Sequence, residues 1–244
     1  MKTIDINCDL GEGFGNEADI MPYISSCNIA CGGHAGGLAE MDKCVDLALD
    51  HSVKIGAHPS YPDRENFGRS VLNIPMGALT KSIVEQINCL NTIVMEKGSE
   101  LNHIKPHGAL YNESTRNPMV ARAVTEAIKQ VNPNLRLYAP YKSFISNMAQ
   151  SEGIKVSFEA FADRSYEDDM TLTPRSVDGS VLKDLDQIFN QVMAIIERNN
   201  VTSRIGKKID INAETICIHG DNPAAIEIAQ TLDYRLQESG IQIT

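Results

Sequence analysis

Cys27-Asn28-Ile29-Ala30-Cys31-Gly32-Gly33-His34-Ala35-Gly36-Gly37 is the stretch whose reading decides the fold. A short apolar run ends, small residues let the backbone turn, a histidine sits on the turn, and a helical pattern starts at Leu38. It reads as a strand feeding a helix, with an imidazole at the strand's carboxyl end. Taken alone, the stretch also has a plain structural reading, in which Gly32 and Gly33 make a tight turn and His34 caps the helix. Its weight comes from recurrence down the chain.

Before it, Thr3 to Cys8 alternates like a strand and runs into Asp9-Leu10-Gly11-Glu12-Gly13-Phe14-Gly15, a loop with two carboxylates. That loop lacks the lysine of a phosphate loop and the glycine spacing of a dinucleotide site. After it come a helix over Leu38 to Asp50 and a third strand, Val53 to Ala57, ending at His58-Pro59-Ser60. A polar loop from Tyr61 to Ser70 precedes a helix running from Pro75 to Lys97, with Ile83, Ile87, Leu90 and Val94 on one face. The fourth strand, Leu101 to Lys105, ends at Pro106-His107-Gly108, and a helix follows from Asn117 to Lys129. Leu135 to Ala139 is the fifth strand, with a helix after Pro140 to Ser151; Lys155 to Phe158 is the sixth. Glu159 to Arg175 reads as a charged loop, and Asp178 to Asn199 as a helix with Leu182, Leu185, Ile188, Val192 and Ile196 buried. The seventh strand, Glu214 to Ile218, ends at His219-Gly220-Asp221, and Asn222 is expected to cap a last helix reaching Glu238.

Strand and helix thus alternate seven times, with no linker or repeat to split the chain. Such alternation implies parallel strands with right-handed crossovers. Seven units in 244 residues predict one domain over residues 1–244, an irregular (β/α)7-type barrel; an open doubly wound sheet is the alternative. Either fold puts its site at the carboxyl ends of the strands.

Composition narrows the function. A net charge of −10 argues against nucleic acid or an anionic membrane surface as partner. No signal-like opening and no apolar run of about 20 residues is present, so a cytoplasmic protein is expected. The six cysteines sit mostly inside apolar runs without a CxxC pair, which reads as reduced core rather than a disulfide frame or zinc cage.

Of six histidines, His51 follows a helix and His103 lies within a strand, so both read as structural. His34, His58, His107 and His219 each fall just after a strand, and Asp9 holds the same place after the first. In a parallel α/β fold these five converge on one face. Such a ring suits two jobs: holding a divalent ion that activates water, or direct acid–base work between Asp9 and a histidine. No local HxH or HxxxH pair chooses between them; Asp9, His34 and His58 are the metal candidates. Lys105, two residues before His107, points into the barrel and needs an anion: a ligand carboxylate or phosphate, or a strand carboxylate such as Glu214. Arg69 and Arg175 offer guanidinium groups near strand-end loops, suited to gripping a carboxylate or phosphate. The loop Ala162 to Asp169 reads as a lid over the site or as a solvated loop.

Several motifs resemble the LamB/YcsF family: Asp9-Leu10-Gly11-Glu12, Asn28 to Gly32, His34-Ala35-Gly36, Gly56 to Asp63, Lys105 to Asn112, Phe161 to Tyr166 and Ile218 to Pro223. The match runs nearly end to end. It implies a (β/α) barrel similar to polysaccharide deacetylases. It also implies the role of the A subunit of 5-oxoprolinase, working alongside subunits B and C in the ATP-dependent opening of 5-oxo-L-proline to L-glutamate. ATP, with Mg2+ as its counter-ion, is therefore the implied cofactor. On the matching motifs, the resemblance implies catalytic roles for Asp9, His34, His58, His107 and His219. Glu12, Asn28, Lys105, Asp163, Arg164 and Asp221 stand in the matching motifs and, together with Arg69 and Arg175 read above from their chemistry, are the candidate substrate or phosphate contacts. Three positions depart from the family pattern: Gly37 where an aspartate is expected, Ser70 where an arginine is expected, and Met170 where a glycine is expected. Two rival classes are a metal-dependent amide or carbohydrate deacetylase needing no ATP, and a non-catalytic subunit presenting a ligand.

Overall fold

The structure is a computed structural model describing residues 2–244. Seven parallel strands close on themselves. The first six are β1 (Lys2–Leu10), β2 (Ser26–Ala30), β3 (Lys54–His58), β4 (His103–Ile104), β5 (Arg136–Pro140) and β6 (Val156–Phe161). A small antiparallel hairpin, β7 (Asn200–Thr202) and β8 (Lys208–Asp210), stands apart from the barrel, and β9 (Thr215–His219) is the seventh barrel strand. β9 pairs with both β6 and β1, so the sheet is closed and the open-sheet alternative is set aside. A short β10 (Ile241–Ile243) adds to the outer end of β1.

The helices between the strands are α1 (Glu17–Ile20), α2 (Leu38–Asp50), α3 (Met76–Glu96), α4 (Gly108–Ser114), α5 (Pro118–Val131), α6 (Phe144–Ser151), α7 (Leu185–Arg198) and α8 (Ala225–Glu238). The long helix α3 buries Ile83, Ile87, Leu90 and Val94 completely, as their spacing predicts. Each such side chain contributes roughly 1.5–3 kcal/mol on leaving water. Asn117 caps α5 by accepting from Met119 N, with Pro118 in the first turn.

Three expectations need correction. The helix expected from Asp178 begins only at Leu185, where Asp184 caps it by accepting from Gln187 N. Residues before it run extended instead: Val181 bridges Arg164 and Leu182 N donates to Asp163 O, which buries Leu182 by strand-like pairing. Glu159 does not open a solvated loop; β6 continues through Phe161 and buries it. Asn222 does not cap α8, which starts three residues later. Its side chain accepts from Ala224 N and donates to Asp163. The short helix α4, with His107 at its N-cap, is an addition to the expected elements.

Register levels the site. Asp9 pairs with Asn28 on one side and His219 on the other, and Ala30 pairs with His58. Asp9, Asn28 and His219 therefore share one row at the carboxyl-end mouth of the barrel, with His58 two residues further out on β3.

Candidate active site at the barrel mouth

The loop after β2 can deliver His34 to the mouth because Gly36 sits at φ +78°, where a Cβ would clash with Ala30 O. Gly68, at φ +64°, lies against His34 and His107; a Cβ there would be 2.9 Å from His34 Cβ and 3.0 Å from His107 Cδ2. The two imidazoles stack with centroids 3.6 Å apart and planes within 2°.

Two of the ring tautomers follow from their neighbours. His58 Nδ1 lies 2.7 Å from Lys105 O, and His107 Nε2 lies 3.0 Å from Phe67 O. A carbonyl only accepts, so each of those nitrogens carries the proton. The remaining nitrogens, His58 Nε2 and His107 Nδ1, then face each other at 2.9 Å. Glu12 Oε1 is 3.3 Å from His107 Nδ1 and 3.9 Å from His58 Nε2, and Asp9 Oδ2 is 3.5 Å from His58 Nε2. Two lone pairs at this separation repel unless a positive charge lies between them. A proton making His58 an imidazolium would serve, and so would a metal ion. One ligand atom each from Glu12, His34, His58 and His107 lies within 4.8 Å of the others. The residues fit a divalent ion bound by imidazole and carboxylate, with Glu12 and His107 added to the expected Asp9, His34 and His58. His34 Nε2 is already engaged with Glu12 Oε1 at 2.9 Å, and its buried Nδ1 has no partner.

Burial sets the charges here. Burial, then Asp9, pushes the Glu12 carboxyl up to about 7. Burial and then His58 push His34 down to about 2, and the same two causes hold His107 well below the usual histidine range. For Asp9, burial works toward a higher value, but His58 and Lys105 outweigh it and hold the carboxyl well below its ordinary range.

Lys105 is buried, with Nζ 2.8 Å from Asp9 Oδ1, 2.9 Å from Glu159 Oε1 and 2.9 Å from Cys217 Sγ. Its three protons are thereby spoken for, so it does not wait for a ligand anion. The partners are Asp9 and Glu159, not the exposed Glu214. Asn28 fixes Asp9 from the other side, donating to Asp9 Oδ1 at 2.8 Å while its own carbonyl faces His103 Nε2 at 2.7 Å. His103 is structural, as expected, and buried.

A second group stands on the β9 side. His219 Nδ1 lies 2.8 Å from Asp163 Oδ1, and Asn222 Nδ2 donates to Asp163 Oδ2 at 2.9 Å. Burial would raise Asp163, but His219 and its hydrogen bond keep the carboxyl below its ordinary value. Arg164 does not face the pocket; it is buried and donates to Ser180 O and Thr173 O, which orders the loop after β6. Arg69 and Arg175 meet at Asp221 on the rim.

Sequence reasoning missed Glu159, Asn7, Cys217 and Tyr111. Tyr111 OH donates to Glu159 Oε2, and Asn7 Nδ2 donates to Glu159 Oε1. A carboxylate inside the run Val156 to Phe161 was the available signal, since alternation places residues 157, 159 and 161 on one face.

The fold and site together define a seven-stranded (β/α) barrel with an acid–histidine cluster at its mouth. The chain belongs to the LamB/YcsF family, whose model matches residues 4–244. The A subunit of 5-oxoprolinase from Bacillus cereus is 42% identical over 250 residues, covering 100% of this chain and 98% of that protein. A lactam utilization protein from Thermus thermophilus has the same structure at TM-score 0.93 and 33% identity, covering 100% of this chain and 99% of that one. A family 4 carbohydrate esterase from Streptomyces lividans, at TM-score 0.54 and 10% identity over 99% of this chain and 91% of its own, shares the fold alone. No helix among the described residues is long and apolar enough to cross a membrane.

Proposed function

We propose that this chain is the A subunit of a cytoplasmic, ATP-dependent 5-oxoprolinase, opening 5-oxo-L-proline to L-glutamate together with subunits B and C. The full-length similarity to proteins that carry this subunit's name supports the assignment. The observation that carries it is the meeting, at one barrel mouth, of a Glu12–histidine cluster and a separate histidine oriented by a carboxylate.

The chemistry needs both. A five-membered lactam is an unreactive amide, and water attacks its carbonyl only when the oxygen is activated. ATP, held with Mg2+ in the assembled enzyme, would supply that activation by phosphorylating the lactam oxygen and leaving as ADP. One water then adds to the ring carbon as the C–N bond breaks and the nitrogen takes a proton, and a second water releases phosphate from the resulting acyl phosphate. A divalent ion held by Glu12, His34, His58 and His107 would polarise a bound oxygen. His219 is the general base: Asp163 accepts its Nδ1 proton, which leaves Nε2 to take a proton from water. Asp9 stays ionised through Lys105 and Asn28 and supplies fixed negative charge beside the reacting atoms. Lys105 and Glu159 are positioning residues, since both act through Asp9.

The test is glutamate release from 5-oxo-L-proline with ATP, by this chain alone and with subunits B and C. Release that needs all three subunits and ATP supports the reading. Chelator-sensitive deacetylation by the chain alone, without ATP, would replace it with the esterase-like class.

A further inference from the structure

Arg69 Nη2 lies 2.6 Å from Asp221 Oδ2, while Arg175 holds the same carboxylate with two bonds, Nη1 to Oδ2 at 2.8 Å and Nη2 to Oδ1 at 3.1 Å. One carboxylate thus faces two guanidiniums, leaving one positive charge unbalanced at the rim. Asp221 balances only one of the two guanidiniums, so an anion entering this mouth meets the unbalanced positive charge at the rim first. The arginine side chains are 46% and 35% exposed, whereas Asp221 is only 11% exposed. The cations therefore face solvent, and their shared anion lies beneath them.

The rim is also joined to the centre. Arg69 lies over the Phe67 ring at 4.8 Å, and that ring meets His34 and His107 edge-on at 5.2 and 5.4 Å. Asp221 follows His219 by two residues. A group gripped by Arg69 is thus held one ring, that of Phe67, away from His34 and His107. Lys105, the cation that the sequence offers for this task, is consumed inside the barrel.

We propose that Arg69 and Arg175 form the subsite for the carboxylate of a ring acid, which takes over the Arg69 contact of Asp221 while Arg175 keeps its two bonds to it. Planar, paired donors on Arg69 suit a carboxylate. The proposal rests on the lactam-acid reading for the identity of the ring, but the carboxylate grip is testable without it.

The experiment is a set of NMR binding titrations on the full chain with four probes: 5-oxo-L-proline, cyclopentanecarboxylate, 2-pyrrolidone and inorganic phosphate. In Arg69→Met both carboxylates should weaken roughly tenfold or more, the size of a lost charge-assisted bond, and in Arg175→Met they should weaken less, because Asp221 then competes for Arg69, with 2-pyrrolidone unmoved in both. Equal weakening of 2-pyrrolidone, unchanged carboxylate binding, binding of phosphate alone, or no carboxylate binding to the native chain would each overturn the subsite. If cyclopentanecarboxylate behaves as stated while 5-oxo-L-proline does not bind, the subsite stands and the 5-oxoprolinase reading falls.

Discussion

His58 Nε2 and His107 Nδ1 face each other at 2.9 Å, with each ring's other nitrogen already donating to a main-chain carbonyl. Neither ring can flip without leaving a buried carbonyl unpaired, which costs about 1–3 kcal/mol. The pair is therefore built around a positive charge. Added Zn2+ should raise the melting temperature with a stoichiometry of about one per chain. A chelator should reverse the shift, and His58→Ala should abolish it. Equal stabilisation of the His58→Ala variant would show that the metal binds elsewhere.

Lys105 is shared between Asp9 and Glu159 inside the barrel, one ammonium set against two carboxyl groups. Lys105→Met leaves two buried carboxylates facing each other and should cost about 3–5 kcal/mol in denaturant unfolding. Adding Glu159→Gln should recover part of that loss. A single variant as stable as the native chain would contradict the ion pair.

Asp163 supplies the pH dependence. Its folded carboxyl lies below the ordinary value of 3.8, because His219 and Asn222 favour the ionised form over the effect of burial. A group depressed on folding stabilises above its unfolded value, and that stability is lost as pH falls through the folded value. Unfolding free energy should therefore fall more steeply below about pH 4 in the native chain than in Asp163→Asn. Parallel acid limbs for the two proteins would remove Asp163 from the account.

Much of this site is legible in the sequence because barrel register is legible. Strand ends at Asp9, His58, His107 and His219 mark the mouth once seven strands are recognised, and β1 pairing sets Asp9 level with His219. What stays hidden depends on the partner across the barrel. Glu159 resembles loop because its charge ends the apolar run, and only Lys105, 54 positions earlier in the sequence, explains its burial. Glu12 reads as a substrate contact in the sequence, yet it lies among the histidines because its loop folds back over the mouth.

Two departures from the family pattern find local explanations. Gly37 is the N-cap of α2 and offers no side-chain cap, so an aspartate there serves the helix end. Met170 sits at φ +70°, a conformation that favours glycine. Gly37→Asp should move stability by no more than a few tenths of a kcal/mol, since the cap it gains stands against the Glu40 carboxylate. Met170→Gly should change it little, relief of the positive φ being offset by lost packing on the core; neither should change activity. A changed rate in Gly37→Asp would return that position to the site. Nothing in the structure explains Ser70.

The central claim is that ring opening takes place at this barrel mouth. Its most direct test is glutamate release from 5-oxo-L-proline and ATP by the enzyme assembled with subunits B and C, comparing the native chain with His219→Ala. The account predicts a loss of about a hundredfold or more in glutamate release with the complex still assembled. Release at the native rate by assembled His219→Ala would contradict it.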